Sequence, residues 1–279
     1  MAGRFSNSFA LVKASANVLR LDKELMVFPL LSGIATVLVA ASFIAPIFMI
    51  GPEIFVEGET ASYATYVLGF AFYLVQYFVI FFFNAALVGA ALIRLDGGDP
   101  TVSDGLAIAS KRMGSILGYA AIAATVGMIL RFIAERAGFL GRIISGVIGI
   151  AWTLTTYLTV PILVTKDIGP IDAVKESVAI FKRTWGEQVI GNFGMGWAVT
   201  LMALSWTCVG FVLMFLTGSL GAFAVVPVIL IWGLGYVFLA LFASALNGIY
   251  TAALYRYAIT GDAGYFDADI MGNAFSAKK

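Results

Sequence analysis

Six apolar runs, each long enough to cross a bilayer as a helix, constrain this chain more than anything else in it. They cover approximately 26–50, 62–93, 114–130, 143–165, 189–216 and 222–255. A hydrocarbon core about 30 Å thick needs roughly 20 apolar residues of helix. The third run is short and bounded by Arg112 and Arg131, whereas the second and sixth are long enough to tilt. The rest of the composition agrees: 61% of the residues are hydrophobic and 12% charged, against about 45–50% and about 25% in soluble domains. A soluble globule is excluded. The expected fold is all-α, a single six-span transmembrane domain over 1–264 with a cytoplasmic tail over 265–279.

The distribution of Lys and Arg sets the orientation. Fourteen of the seventeen fall on the side that holds the N-terminal arm, the second-to-third and fourth-to-fifth links, and the tail. Arg131, Arg136 and Arg142 fall on the other side, whose first loop carries Glu53, Glu57 and Glu59. Cytoplasmic loops hold the excess of basic residues, so both termini are expected in the cytoplasm. The N-terminus lacks the pattern of a cleavable signal, because a mixed-charge stretch precedes a full-length first span.

An internal repeat is also visible. Ala91-Leu92-Ile93-Arg94 ends the second span and Ala253-Leu254-Tyr255-Arg256 the sixth, with Pro161 to Lys166 as a weaker version ending the fourth. Asn84 and Asn247 precede the two arginines by similar intervals, and Thr156 stands at that level in the fourth span. Each odd-numbered span follows an amphipathic stretch. In 170–187, Ile171, Val174, Val178, Phe181 and Trp185 recur at helical spacing. In 101–113 the stripe is Val102, Leu106, Ala109 and Met113, opened by a Thr101 to Asp104 capping box. In 4–24 it is Phe5, Phe9, Val12, Ala16 and Leu19. The predicted unit is an interfacial helix plus a transmembrane hairpin, three times, over 4–94, 99–166 and 169–258.

Two end motifs carry a resemblance. Arg4-Phe5-Ser6 with Asp22-Lys23-Glu24-Leu25-Met26-Val27-Phe28-Pro29-Leu30-Leu31-Ser32-Gly33, and Ala253 through Gly261, resemble an uncharacterised prokaryotic integral membrane family, number 6159 among the domains of unknown function. The resemblance implies six spans and a prokaryotic inner membrane, with no assigned activity. More loosely, Ala173, Ser177, Phe181, Lys182 and Trp185 are similar to the membrane domains that accompany some glycerophosphodiester phosphodiesterases.

What the chain lacks narrows its chemistry. There is no histidine and a single cysteine, Cys208, which removes histidine-held haem, a Ser-His-Asp triad and an internal disulfide. No metal site or cofactor is expected. A net charge of +1 argues against a nucleic-acid partner. No Asp, Glu, Lys or Arg stands near the centre of any span, which removes the usual carriers of proton or sodium coupling. No nucleophile with a base or carboxylate pair presents itself, so a non-enzyme is expected.

Two constellations remain. Arg94, Lys111, Arg112, Lys166, Lys175, Lys182, Arg183 and Arg256 would ring the cytoplasmic headgroup level, where each cation is worth about 1 kcal/mol near an anionic leaflet. They either bind anionic phospholipid or only set orientation. Asn84 and Asn247 either form a paired intramembrane site or bond helices together. Small residues Ala240, Ser244, Gly248 and Ala252, and Gly114 with Gly118, permit close helix contact within one chain or in a homo-oligomer. Pro161 and Pro227 are the prolines placed to kink a span. The leading expectation is a protein that organises membrane lipid or a membrane-protein partner; the alternative is a transporter or channel for a small or lipophilic solute.

Overall fold

The computed structural model describes residues 2–50, 63–185 and 195–272, and every regular element among them is helical. The helices are α1 (Ala2–Leu21), α2 (Val27–Ile50), α3 (Tyr63–Leu95), α4 (Val102–Lys111), α5 (Met113–Arg136), α6 (Gly138–Thr155), α7 (Thr159–Thr165), α8 (Pro170–Trp185), α9 (Gly196–Thr217), α10 (Ala222–Thr260) and α11 (Ala268–Gly272). Six stretches are long and apolar enough to cross a membrane: Lys23–Ala45, Val67–Leu95, Met113–Arg136, Gly138–Thr165, Gly196–Thr217 and Phe223–Thr260. Glu53, Glu57, Glu59, the glycine-rich segment around Asn192 and the last seven residues lie outside the described residues.

The six spans pair as three antiparallel hairpins: α2 with α3, α5 with α6 and α7, α9 with α10. Their packing is concentrated at one end, here called the base. There α3 contributes Ala85, Ala86, Leu87, Val88, Ala90 and Ala91 to the core, α10 contributes Leu246, Ile249 and Leu254, and α7 contributes Ile162 and Leu163, with Leu158 just before it. Away from the base the hairpins expose large apolar side chains, such as Val37 and Leu38 on α2, Phe139 and Val147 on α6, and Phe215 and Phe223 at the α9–α10 tip. An apolar surface of that extent fits a hydrocarbon solvent. One hairpin carries its own clasp: the Trp206 indole donates to the Trp232 carbonyl at 2.9 Å, and the Trp232 indole to the Trp206 carbonyl at 3.2 Å. Each ring lies over a glycine of the other helix, Gly235 under Trp206 and Gly210 under Trp232.

Three further helices, α1, α4 and α8, are seated on the base, and each turns small residues inward beside part of the apolar stripe in its sequence. On α8 the buried residues are Ala173, Ser177, Ile180, Phe181 and Trp185, while Ile171 is exposed and Val174 and Val178 are half-buried. On α1 they are Ser8, Leu11, Ser15 and Val18, with Leu19 at the edge, and Phe9 is exposed; the Phe5 side chain lies outside the described ones. On α4 they are Gly105 and Ala109. A Cβ on Gly105 would stand 2.5 Å from Phe28 and 2.7 Å from the Ala86 carbonyl, so only hydrogen fits where α4 meets α3. Small residues let helices approach closely, and hydropathy gives them little weight; the seats keep Leu19, Ala109, Phe181 and Trp185 of the expected stripes and extend to the small residues beside them. The Thr101–Asp104 capping box forms as expected.

Helix contact also divides the small-residue motifs. Gly248 meets Leu87 of α3 and Ala252 is buried, but Ala240 and Ser244 are exposed. Gly118 meets Pro170 at the start of α8, whereas Gly114 has open space around it. After α10, Gly261 adopts φ +77 and stops the helix in a left-handed cap. The chain then folds back: Phe266 and Met271 are buried, and the Trp185 indole donates to the Met271 carbonyl at 3.2 Å.

Candidate functional site

The fourth span is not one helix. Pro161 has no N–H to bond the carbonyl of Tyr157, and its ring crowds that carbonyl; α6 ends at Thr155 and α7 begins at Thr159. A broken backbone inside a membrane must find other partners. Ser177, on the seated face of α8 and fully buried, supplies both: its hydroxyl donates to the Thr155 carbonyl at 2.7 Å and accepts from the Leu158 N–H at 3.2 Å. The Thr156 hydroxyl turns back to the Trp152 carbonyl at 2.7 Å.

The break aims Tyr157 across the bundle. Its hydroxyl donates to Asn247 Oδ1 of α10 at 3.0 Å. Asn84 of α3 lies alongside, with its Oδ1 3.7 Å from where a Cβ on Gly248 would stand. The two asparagines are thus brought to one place. At 1.5 Å per residue they sit about 13–15 Å along their helices from Arg256 and Arg94. Asn247 is exposed, in a helix whose preceding and following residues, Leu246 and Gly248, are buried.

Two clefts meet at the Tyr157–Asn247 pair. The first, about 410 Å³, lies between α3, α5, α6 and α10, lined by Tyr77, Phe81 and Asn84, by Tyr119, Ala123 and Gly127, by Trp152, Thr153 and Thr156, and by Thr251. The second, about 420 Å³, lies between α6, α9 and α10 and adds Leu154, Met195, Val199, Thr200, Ala243 and Tyr250. Both volumes fall within the roughly 300–1,000 Å³ of small-molecule sites. Their described linings hold Asn, Thr and Tyr as polar groups and no acidic or basic side chain. Exposed Thr153, Thr200 and Asn247 place the openings on the flank of the bundle. Among the described residues no cluster of three or more His, Cys, Asp or Glu stands ready for a metal ion.

The eight cations of the expected ring are distributed differently. Arg94 bridges Asp22, at 3.4 Å, and Asp99. Arg112 pairs with Asp167, and Lys166 with Glu176. Arg256 holds Asp96 at 2.9 Å and Asp262 at 2.8 Å. Lys175 reaches Asp172 at 3.3 Å within one turn of α8, and Arg183 donates to the Ala258 carbonyl at 3.3 Å. Lys111 and Lys182 make no ion pair among the described residues. The span-end cations therefore form a belt of ion pairs that ties one element to the next. Burial pushes the Asp22 carboxyl above its ordinary range, with Arg94 pulling it back. The Gly264 N–H and then Arg256 hold Asp262 below it, and the Glu176 carboxylate raises the Lys166 ammonium. Glu24 completes the opening motif by accepting from the Val102 N–H, at the start of α4, at 2.9 Å.

Sequence reasoning singled out Asn84, Asn247 and Pro161, and it left Tyr157, Tyr119, Thr153, Tyr250 and the seating role of Ser177 unassigned. One signal was available: Tyr157 stands four residues before Pro161, the carbonyl a proline releases.

Together these features define a polytopic all-α membrane protein built from three hairpins on a capped base. The family of unknown function DUF6159 matches residues 63–265, well over half of the chain, and the protein belongs to that family. The matched stretch includes the Ala253–Gly261 motif and begins after the opening one. No curated protein matches the chain. No solved structure matches it either.

Proposed function

We propose that this is a non-enzymatic protein of a prokaryotic inner membrane that takes a small or lipophilic solute into the cleft at the level of Asn84 and Asn247. The observation that carries this reading is the broken fourth span beside convergent, uncharged polar side chains within the bundle. Discontinuous helices tolerate irregular backbone where they line a cavity, and transporters use such breaks near the midplane. The base faces the cytoplasm in this account, because the Lys and Arg excess lies on its side. Organisation of anionic lipid at the base is the second reading, supported by Lys111 and Lys182, which make no ion pair among the described residues; the ion-pair belt weakens it by occupying the span-end cations.

The test is native mass spectrometry of protein extracted with its surrounding membrane. A bound small molecule that is retained by the wild type and lost in Asn84→Leu and Asn247→Leu, with folding intact, is expected. Identical retention in the variants contradicts the cleft reading, and stoichiometric anionic lipid lost in Lys111→Glu with Lys182→Glu moves the second reading ahead.

A further inference from the structure

The chain that follows α10 lies against one end of the second cleft. Gly261 and Gly264, at φ +77 and +56, are angles that glycine adopts without strain, and they turn residues 262–272 back along the base as a strap ending in α11. The strap's own bonds are local: Asp262 accepts from the Gly264 N–H at 2.9 Å and Asp267 from the Ile270 N–H at 3.0 Å. A single helical turn does not hold itself together, so the strap depends on its seat. Phe266 and Met271 are buried there, the Trp185 indole donates to the Met271 carbonyl at 3.2 Å, and Arg256 holds Asp262 at 2.8 Å.

Met195 and Tyr250 line the cleft and are both buried. Met195 stands just before α9, and Tyr250 is about one turn closer to the end of α10 than Asn247, so this pair forms the end of the cleft that faces the base. Behind it, among the described residues, are α1 and the strap. The Ser15 hydroxyl donates to the Met195 sulfur at 3.7 Å, and the Phe266 ring lies 6.4 Å from the Tyr250 ring between centroids; neither Ser15 nor Phe266 is part of the described lining. The Tyr250 hydroxyl makes no hydrogen bond among the described residues, so packing holds the ring in place. A buried hydroxyl without a partner is unfavourable, and a ring that swings out of this position relieves it. We infer that the strap is a displaceable plug: seated, Phe266 keeps Tyr250 across the base end of the cleft between α6, α9 and α10, and lifted about its glycine turn, it frees Tyr250 and opens that end to the base face. The cleft then has a mouth on the flank and a second at the base, and the strap controls the second. The inference rests on the proposed reading of the clefts as a solute site and adds a route between the hydrocarbon flank and the base face.

The test is thiol labelling of the full chain in sealed membrane vesicles of either orientation, with Cys208→Ala as the background. Val199→Cys, on the cleft wall, is the reporter, and Lys182→Cys, exposed on α8, identifies the base face. The reagent is sulfonatoethyl methanethiosulfonate, whose charge keeps it on the side to which it is added. With the strap seated, Val199→Cys should react slowly from the base face. Phe266→Ala removes the side chain behind Tyr250 and should quicken that reaction by at least about tenfold, because labelling through a local opening follows the open population. Trp185→Phe keeps an aromatic ring in the seat, removes the bond to the Met271 carbonyl, and should quicken it by about two- to tenfold. Rates that neither variant changes overturn the inference, and so does fast labelling from the base face while the strap is intact. Ala123→Cys, on the wall of the first cleft, should keep its rate in both variants; an equal rise at Val199→Cys and Ala123→Cys means that the whole bundle has loosened, and also overturns it. No solute takes part in the labelling, so its outcome is separate from the Asn84→Leu comparison that tests the proposed function.

Discussion

Ser177→Ala should be among the most destabilising small changes available in this protein, although it removes a single oxygen. The hydroxyl bridges the two sides of the broken fourth span, 2.7 Å from the Thr155 carbonyl and 3.2 Å from the Leu158 nitrogen, in full burial. A buried hydrogen bond contributes about 0.5–1.5 kcal/mol and a buried group left unsatisfied costs about 1–3 kcal/mol. With one donor and one acceptor orphaned together, the expected loss is about 2–4 kcal/mol. Equilibrium unfolding in bicelles, titrated with dodecyl sulfate and followed by far-UV circular dichroism, reads it. The cause can be separated from mere loss of packing by a double-mutant cycle. Pro161→Ala restores an N–H that can bond the Tyr157 carbonyl and lets α6 run toward α7, so Ser177→Ala should cost less in that background, with a coupling of about 1 kcal/mol. A loss under about 0.5 kcal/mol, the level of an ordinary surface substitution, or strict additivity with Pro161→Ala, would refute the assignment of Ser177 to the break.

Further expectations follow from other contacts. Gly105→Ala drives a methyl into Phe28 and the Ala86 carbonyl, and overpacking of this kind costs about 1–3 kcal/mol; the same unfolding titration checks it, with Gly114→Ala, which meets open space, as the neutral control. Arg256→Gln cuts the link from α10 to Asp96 and Asp262, and limited proteolysis after Gly261 should quicken, whereas Lys175→Gln, whose pair is exposed within one helical turn, should leave it unchanged. Acidification acts through Asp262 and Asp104, both held below the ordinary carboxylate value of 3.8. Their contribution is present above that value and is lost as pH falls through the lower folded values, so stability should drop on acidification below about pH 4, less so in Asp262→Asn. Asp22 works in the opposite sense, its carboxyl being raised by burial: stability falls as pH rises from the ordinary value through the folded one, and Asp22→Asn should remove that fall within the window.

Periodicity and length were enough for the six spans, because burying apolar helix in hydrocarbon depends on composition over twenty residues and not on any neighbour. The capping box of α4 was equally legible, being local to Thr101 and Asp104. The seats of α1, α4 and α8 were not. Their inward faces share Leu19, Ala109, Phe181 and Trp185 with the apolar stripes but are completed by Ser15, Gly105 and Ser177, small residues fitted for close approach and hydrogen bonding, which apolar periodicity does not register. The ion-pair belt was hidden for a related reason: Arg256 and Asp96 are 160 residues apart, and a count of Lys and Arg per loop does not register the acid each one meets. At the clefts, the repeat set Asn84 and Asn247 at matching intervals from Arg94 and Arg256, but that Tyr157, four residues before the Pro161 break, reaches Asn247 was not legible from spacing.

A protein that takes up a solute at the Tyr157–Asn247 pair has clefts there that are occupied rather than sealed. The most direct measurement is an electron cryomicroscopy map of the protein in nanodiscs of its native lipids. Elongated non-protein density entering from the flank and ending within hydrogen-bond distance of Asn247 is predicted, weakened in Asn247→Leu. Side chains of α6 and α10 closed over an empty interior, with Asn247 bonded only to protein, would contradict it.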